Sequence, residues 1–272
     1  MTSVPQIFDR KLYQRRRRRI ATRFGAFDFL ARRAADEIAE RLAERNEHYD
    51  TVVCCGARRP AVKAQRVIAF DAESQFLAAP AVVGDEERLP FAPQSLDLYA
   101  SVLTLHALND VPGALAQVRR AIKPNGTFMA AMFGGETLKE LREAFALAEI
   151  EVDGGLSPRV FPFAEVREVG NLLQRAGLAE PVVDADTVTV HYDDPLKLLN
   201  DLRGMGESNT LVERRRTFLK RRTLARMREI YRERFAGKDG RVPATFQIFY
   251  LSGRARFEVQ QQPVEASRMR LS

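Results

Sequence analysis

Two groups of polar side chains could transfer protons or bind a polar substrate. His106 follows an apolar run, and Asn109 and Asp110 come one helical turn later. Histidine exchanges a proton near neutral pH, whereas Asn109 and Asp110 could contact a substrate or cap the following helix. Glu207 and Asn209 lie in a glycine-flanked turn, where they could contact a substrate or begin a helix. These five residues are the candidate catalytic residues.

Other chemical groupings have less support. His191 and Asp193 have the His-x-Asp spacing of iron sites built from two histidines and a carboxylate, but no second histidine follows them. Cys54 and Cys55 are adjacent, and we expect them to be reduced thiols in a buried strand. No Ser-His-Asp or Cys-His arrangement is evident, and the sequence predicts no metal site.

Residues 82–133 predict the elements that would position His106. Their pattern indicates strand, loop, strand, helix and strand, and the turn at 123–126 separates the helix from a final strand at 127–133. Alternating strands and helices predict a parallel sheet, which binds ligands beyond the carboxyl ends of its strands. His106 should therefore face such a cleft.

The rest of the chain predicts a single domain over residues 1–272. Residues 1–27 indicate an arm, and a helix at 29–45 completes an N-terminal region, 1–47. Further strands are predicted at 50–55, 67–69, 81–83, 182–192 and 245–252, and further helices at 136–150 and 163–175. The last two strands should pair at one edge of the sheet. Residues 195–239 between them are helical and basic, and we expect an insertion that forms a lid.

The net charge of +7 is concentrated in two basic blocks, at 15–19 and 213–228. These blocks are either solvated faces or attract an anionic surface, such as an acidic protein or a membrane leaflet. Nucleic acid is disfavoured because no aromatic platform accompanies the arginines. No apolar run approaches the ~20 residues of a membrane span, and the N-terminus has no signal-peptide pattern.

The segment 82–133 resembles the second half of a class I S-adenosylmethionine-dependent methyltransferase domain. Its acidic loop follows the third strand, and its Lys-Pro-Asn-Gly turn precedes the fifth. The resemblance implies a Rossmann-like α/β fold with a mainly parallel, seven-stranded sheet. It also implies five residues that contact the cofactor. Gly56 belongs to the glycine loop, Asp71 would bind the ribose, and Asp85 and Glu86 would border the adenine. Ser101 lies at the switch point of the sheet. The alternatives are a helix cap for Asp71 and an ordinary polar loop for Asp85 and Glu86.

Motifs along nearly the whole chain are similar to those of the complex I assembly-factor family, whose mitochondrial member is a protein-arginine hydroxylase. The most distinctive are Met132-Phe133-Gly134-Gly135 and Gly204-Met205-Gly206-Glu207-Ser208-Asn209. This resemblance implies a complex I subunit, or another acidic protein surface, as the partner. It also implies a cytoplasmic location peripheral to the inner membrane, or the mitochondrial matrix in a eukaryote.

The expected cofactor loop, 52–60, departs from the methyltransferase pattern. It lacks an acidic residue in the first strand, and Arg58, Arg59 and Pro60 follow Gly56 where small residues are usual. Because glycine lets the backbone approach a cofactor closely, we predict weak or absent binding of S-adenosylmethionine. The following helix should also be short or missing. Three functions stay open: an enzyme acting on a protein arginine, a non-catalytic assembly chaperone, and a small-molecule methyltransferase, which the loop disfavours most.

Overall fold

A seven-stranded sheet forms the centre of the protein in a computed structural model that describes residues 4–256. Its strands are β1 (Tyr49–Cys55), β2 (Ala64–Asp71), β3 (Ala81–Val83), β4 (Leu96–Val102), β5 (Ile122–Phe133), β6 (Leu178–Tyr192) and β7 (Val242–Ala255). Their order is β3-β2-β1-β4-β5-β7-β6. The first five are parallel, and β7 is antiparallel to both of its neighbours. This arrangement confirms the predicted sheet, with its final strand pair at one edge.

Seven α-helices surround the sheet within the described residues. They are α1 (Arg10–Ile20), α2 (Phe29–Arg45), α3 (Val111–Ala121), α4 (Lys139–Asp153), α5 (Val166–Arg175), α6 (Pro195–Met205) and α7 (Arg221–Phe235). Apolar side chains of α2, α4, α6 and α7 share one hydrophobic core, and those of α3 and α5 share a second. Alternate residues of β1 enter the two cores, since successive side chains of a strand point to opposite faces. Helices therefore cover both faces of the sheet.

Within the predicted N-terminal arm, residues 10–20 form the helix α1. Asp9 caps α1 by accepting a hydrogen bond from the backbone nitrogen of Leu12 at 3.0 Å. Tyr13, Arg17 and Ile20 are buried on one face of the helix, at the spacing of three to four residues expected for adjacent turns. The arm was predicted because the arginines in this segment obscured its amphipathic pattern.

The connection between β1 and β2, residues 56–63, contains no helix. A short or missing helix was expected here, because few residues separate Gly56 from Asp71. Arg58 of this connection forms an ion pair with the carboxylate of Asp28. The loop after β1 is therefore tied to the start of α2.

The segment between β6 and β7 reaches two parts of the molecule. The end of α6 approaches the carboxyl ends of the central strands, whereas α7 packs against α4 and β7. Asp194 caps α6 and also accepts hydrogen bonds from Arg228 and Arg232 of α7, both at 2.6 Å. No helix within residues 4–256 is long and apolar enough to cross a membrane.

Candidate functional site

The predicted cofactor residues lie where β1, β2, β3 and β4 end. Gly56 follows β1 and has a φ of +107°, a left-handed conformation that favours glycine. A Cβ at this position would lie 2.6 Å from the backbone oxygen of Val102 in β4. The close approach of two strands of the protein itself therefore requires glycine here.

Asp71, the predicted ribose-binding acid, is paired with an arginine from α1. Its Oδ2 accepts a hydrogen bond from Arg17 Nη2 at 2.6 Å, and the two side chains are only 4% and 7% exposed. The Arg17 guanidinium lies 4.6 Å from the ring centre of Phe76 and 5.6 Å from that of Tyr13. Burial opposes the charge of Arg17, but Tyr13 and Asp71 raise its pKa above the ordinary value. The charged Arg17 guanidinium thus occupies the Asp71 carboxylate, which the resemblance predicts would bind the ribose.

The remaining predicted cofactor residues also have partners within the chain. Asp85 accepts a hydrogen bond from Arg10 of α1 at 2.9 Å. Glu86 is buried and accepts one from Thr104 Oγ1 at 2.5 Å, and that hydroxyl shares a second hydrogen bond with Ser101 Oγ at 2.7 Å. Burial raises the pKa of Glu86 above the usual carboxyl value. These side chains form an internal polar network under the N-terminal helix.

A small cavity lies beside this arrangement. The cavity enclosed by α1, the loop after β1 and the end of β4 has a volume of about 30 Å³, and its walls include Arg17, Ala57, Leu103 and Glu207. Such a volume holds about one or two water molecules. Because Arg17 occupies the Asp71 carboxylate, the residues present do not fit S-adenosylmethionine while α1 is in this position.

Two of the five candidate catalytic residues meet in the structure. His106 Nε2 lies 3.3 Å from Glu207 Oε2. The His106 side chain is completely buried, with its ring centre 4.7 Å from that of Phe133 and 5.8 Å from that of Phe163. His106 Nδ1 has no hydrogen-bond partner among residues 4–256. The pair combines a carboxylate with a group that can exchange a proton.

The other three candidates hold neighbouring segments in place. Asn109 Oδ1 accepts hydrogen bonds from the backbone nitrogens of Ile7 and Phe8 at 2.8 and 2.7 Å. Asp110 caps α3 by accepting from the backbone nitrogen of Gly113 at 2.7 Å. Asn209 Nδ2 donates to the backbone oxygen of Pro158 at 2.7 Å, and its Oδ1 accepts from the backbone nitrogen of Leu211 at 3.0 Å. These contacts organise the surroundings of the His106–Glu207 pair.

A surface groove of about 660 Å³ adjoins a smaller cavity that reaches Glu207. The walls of the groove come from four separate parts of the chain: residues 5–7, α4, residues 156–162 and the segment around Leu211. The smaller cavity, of about 30 Å³, shares Arg159, Val160 and Phe161 with the groove. The rings of Phe133, Phe161, Phe163 and Phe246 line this inner cavity. The sequence did not predict the groove because its walls are distant along the chain.

The thiols and the isolated histidine motif show no arrangement for metal binding. Cys54 and Cys55 are buried free cysteines, and burial raises the pKa of Cys54 to about 12. Asp193 forms an exposed ion pair with Lys197 at 2.5 Å. Within residues 4–256, no group of three or more His, Cys, Asp or Glu side chains could hold a metal ion.

Two of the five arginines in the run 15–19 form ion pairs with carboxylates of the protein, and a third donates to a backbone oxygen. Arg17 is buried against Asp71, and Arg18 Nε donates to Glu73 at 2.8 Å. Arg16 Nη1 donates to the backbone oxygen of Asn209 at 2.5 Å. Arg18 is nevertheless 66% exposed, and Arg15 and Arg19 of this run are exposed and form no ion pair with other residues of 4–256, so the run still presents cations to solvent.

The order and directions of the strands are those of the class I methyltransferase fold. A sequence profile of the family "Methyltransferase domain" matches residues 34–130. The solved structure of YcgJ from Bacillus subtilis superimposes with a TM-score of 0.53 over 81% of this chain and 99% of that chain, at 14% identity. The phosphoethanolamine N-methyltransferase 2 of Haemonchus contortus gives 0.51 over 90% of this chain and 60% of that chain, at 12% identity.

Closer relatives identify the family within this class. The chain is 37% identical to the human mitochondrial arginine-hydroxylase NDUFAF5 over 95% of this chain and 80% of that protein. It is 33% identical to the malonyl-[acyl-carrier protein] O-methyltransferase of Halorhodospira halophila over 90% of this chain and 88% of that protein. The chain belongs to the NDUFAF5-like family of complex I assembly factors.

Proposed function

We propose that this protein acts on an arginine side chain of a partner protein during assembly of respiratory complex I. The observation that carries the proposal is the groove whose aromatic inner cavity reaches the His106–Glu207 pair. The relationship to proteins named arginine-hydroxylase supports it. The proposed setting is the cytoplasm, or the mitochondrial matrix in a eukaryote.

The walls of the inner cavity carry groups that suit a cationic side chain, but at a volume of about 30 Å³ the cavity would admit an arginine only after the surrounding side chains moved apart. The walls of Phe133, Phe161 and Phe163 would contact the methylene groups of an arginine, and aromatic faces also attract a guanidinium. Glu207 would accept hydrogen bonds from the guanidinium, because carboxylates bind this group in a planar, charge-assisted geometry. His106 would orient Glu207 and could hold a proton beside it.

We also propose that S-adenosylmethionine binds weakly or not at all. The altered loop after Gly56 and the occupation of Asp71 by Arg17 support this. Loss of two hydrogen bonds to the cofactor's charged carboxylate costs roughly 3–6 kcal/mol, or a factor of about 10²–10⁴ in affinity. Calorimetric titration of the protein with S-adenosylmethionine tests this proposal, and a low-micromolar Kd would contradict it.

A non-catalytic assembly chaperone is the second candidate. The observation in its favour is the buried Arg17–Asp71 pair, which fills the expected cofactor position and leaves a cavity of only about 30 Å³. A chaperone would use the groove to hold the partner without changing it chemically.

Variants of the buried pair distinguish the two candidates. Glu207→Gln and His106→Gln should be introduced into a host that lacks the native protein, with Glu44→Gln as a matched control, since Glu44 is an exposed carboxylate of α2 that does not line the groove. Complex I is then measured by native gel, and its subunits are examined by mass spectrometry for modified arginines.

The enzyme proposal expects the two site variants to lose arginine modification while the control retains it. Normal modification in both stably folded variants would contradict the assigned roles of Glu207 and His106. If wild-type protein promotes assembly and no subunit arginine is modified, the chaperone function is supported instead.

A further inference from the structure

The loop between α6 and α7 presents an apolar side chain to solvent. Phe218 is 99% exposed, more than any other large hydrophobic residue within residues 4–256. Val212, earlier in the same loop, is also exposed. Single exposed apolar residues are common, so the importance of Phe218 depends on how the loop is built and on its charge.

A buried carboxylate fixes this loop on both sides of Phe218. Asp153, at the end of α4, accepts a hydrogen bond from Arg215 at 2.9 Å, and it forms an ion pair with Lys220 at 2.7 Å. Thr223 at the start of α7 donates to the same side chain at 3.0 Å. Lys220, Thr223 and Arg215 lower the pKa of Asp153 below its usual value despite the opposing effect of desolvation. Phe218 is therefore held outward by contacts that flank it.

The unpaired positive charge of the second basic block is concentrated around this residue. Arg214, Arg226 and Arg228 form ion pairs with carboxylates of the protein. In contrast, Arg216, Arg221 and Arg222 are exposed and form no ion pair within residues 4–256. The stretch 211–222 contains one carboxylate, Glu213. The surface near Phe218 is consequently cationic with an apolar tip.

We propose that the loop 212–222 docks the protein reversibly on an anionic lipid surface. Phe218 would insert at the level of the headgroups, and Arg216, Arg221 and Arg222 would lie against the lipid phosphates. A lipid surface requires only a protruding side chain with cations around it. A stable protein interface instead buries about 800 Å² per partner with complementary packing, for which a single projecting ring is too small. This inference is independent of the proposed action on arginine.

The chain contains no tryptophan, so a Phe218→Trp variant provides a single fluorescent reporter at the proposed contact. Val83→Trp is the matched control, since Val83 is 58% exposed on β3 at one edge of the sheet. Both variants are mixed with vesicles of phosphatidylcholine alone or with 30% phosphatidylglycerol. Only the reporter at 218, and only with anionic vesicles, should shift to shorter wavelength and become protected from acrylamide. An unshifted reporter, or an equal shift with both vesicle types, would overturn the proposal.

Vesicle sedimentation measures separately how much the three arginines and Phe218 contribute to binding. Replacing Arg216, Arg221 and Arg222 with Gln should weaken binding about hundredfold, since each cation near an anionic surface contributes about fivefold. Phe218→Ser should weaken it about tenfold. The control is Arg15→Gln with Arg19→Gln, two exposed cations of α1, and it should bind like the wild type. Unchanged binding of the triple variant, or binding of an acidic peptide but not of vesicles, would refute lipid docking.

Discussion

Replacement of Arg17 should destabilise the protein much more than replacement of its neighbours in the arginine run. Arg17→Ala leaves the Asp71 carboxylate without its charged partner at a position that is only 4% exposed. Removing one member of a buried ion pair typically costs about 3–5 kcal/mol, because the remaining charge is then buried and uncompensated. The variant also loses the contact of the guanidinium with Phe76. We predict a loss of about 3–5 kcal/mol in the free energy of unfolding.

Urea denaturation at pH 7, followed by circular dichroism, measures this loss. Arg15→Ala is the matched control, since it makes the same change on the exposed side of the same helix, where surface substitutions alter stability by about 0.5 kcal/mol or less. Asp71→Asn in the Arg17→Ala background should restore part of the stability because it removes the uncompensated charge. Equal stability of Arg17→Ala and Arg15→Ala would refute the role assigned to the buried pair.

Two further predictions concern the same edge of the sheet. Burial raises the folded-state pKa of Glu86, so the stability that this carboxyl contributes is fully present below pH ~4.5 and is lost as the pH rises through the raised value. Glu86→Gln should therefore gain stability relative to wild type as the pH rises above about 4.5 in urea denaturation, and a difference independent of pH would contradict this. Gly56→Ala should lower stability by roughly 2 kcal/mol or more, because it combines a left-handed φ with a Cβ 2.6 Å from the oxygen of Val102. Its thermal unfolding is the measurement, and an unchanged Tm would be inconsistent with this geometry.

The helices that pack through apolar residues could be predicted from the sequence. The helix α2 was predicted over the observed residues because Leu30, Ala34, Ile38 and Leu42 repeat every four positions and are all buried. The helix α1 was not predicted, and this has a physical reason. Its buried face includes Arg17, and an arginine is expected in solvent unless its partner, here Asp71, is already known to be nearby.

The contacts within the candidate site could not be predicted from local sequence patterns either. His106 and Glu207 were each noted for their residue type and local context, but their contact joins positions 101 residues apart. The groove that adjoins the smaller cavity depends on packing between the N-terminal segment, α4 and the segment around Leu211. Local patterns identify residues that can do chemistry, whereas the assignment of partners requires the tertiary structure. Asn109 illustrates this, because its side chain holds the backbone of Ile7 and Phe8.

The N-terminal helix supports the proposed weak binding of S-adenosylmethionine independently of the residues that follow Gly56. A ribose hydroxyl is neutral, whereas Arg17 offers Asp71 a charge-assisted hydrogen bond, which is roughly twice as strong as a neutral one. A ligand that displaced Arg17 would have to compensate the buried carboxylate without supplying a charge at that position. The helix is also held in place, because the backbone nitrogen of Asp9 donates to the oxygen of Thr210 at 2.8 Å and that of Val212 donates to the oxygen of Ile7 at 2.9 Å. Restoring glycines to the loop would therefore leave the Arg17–Asp71 pair, and the obstacle it presents, unchanged.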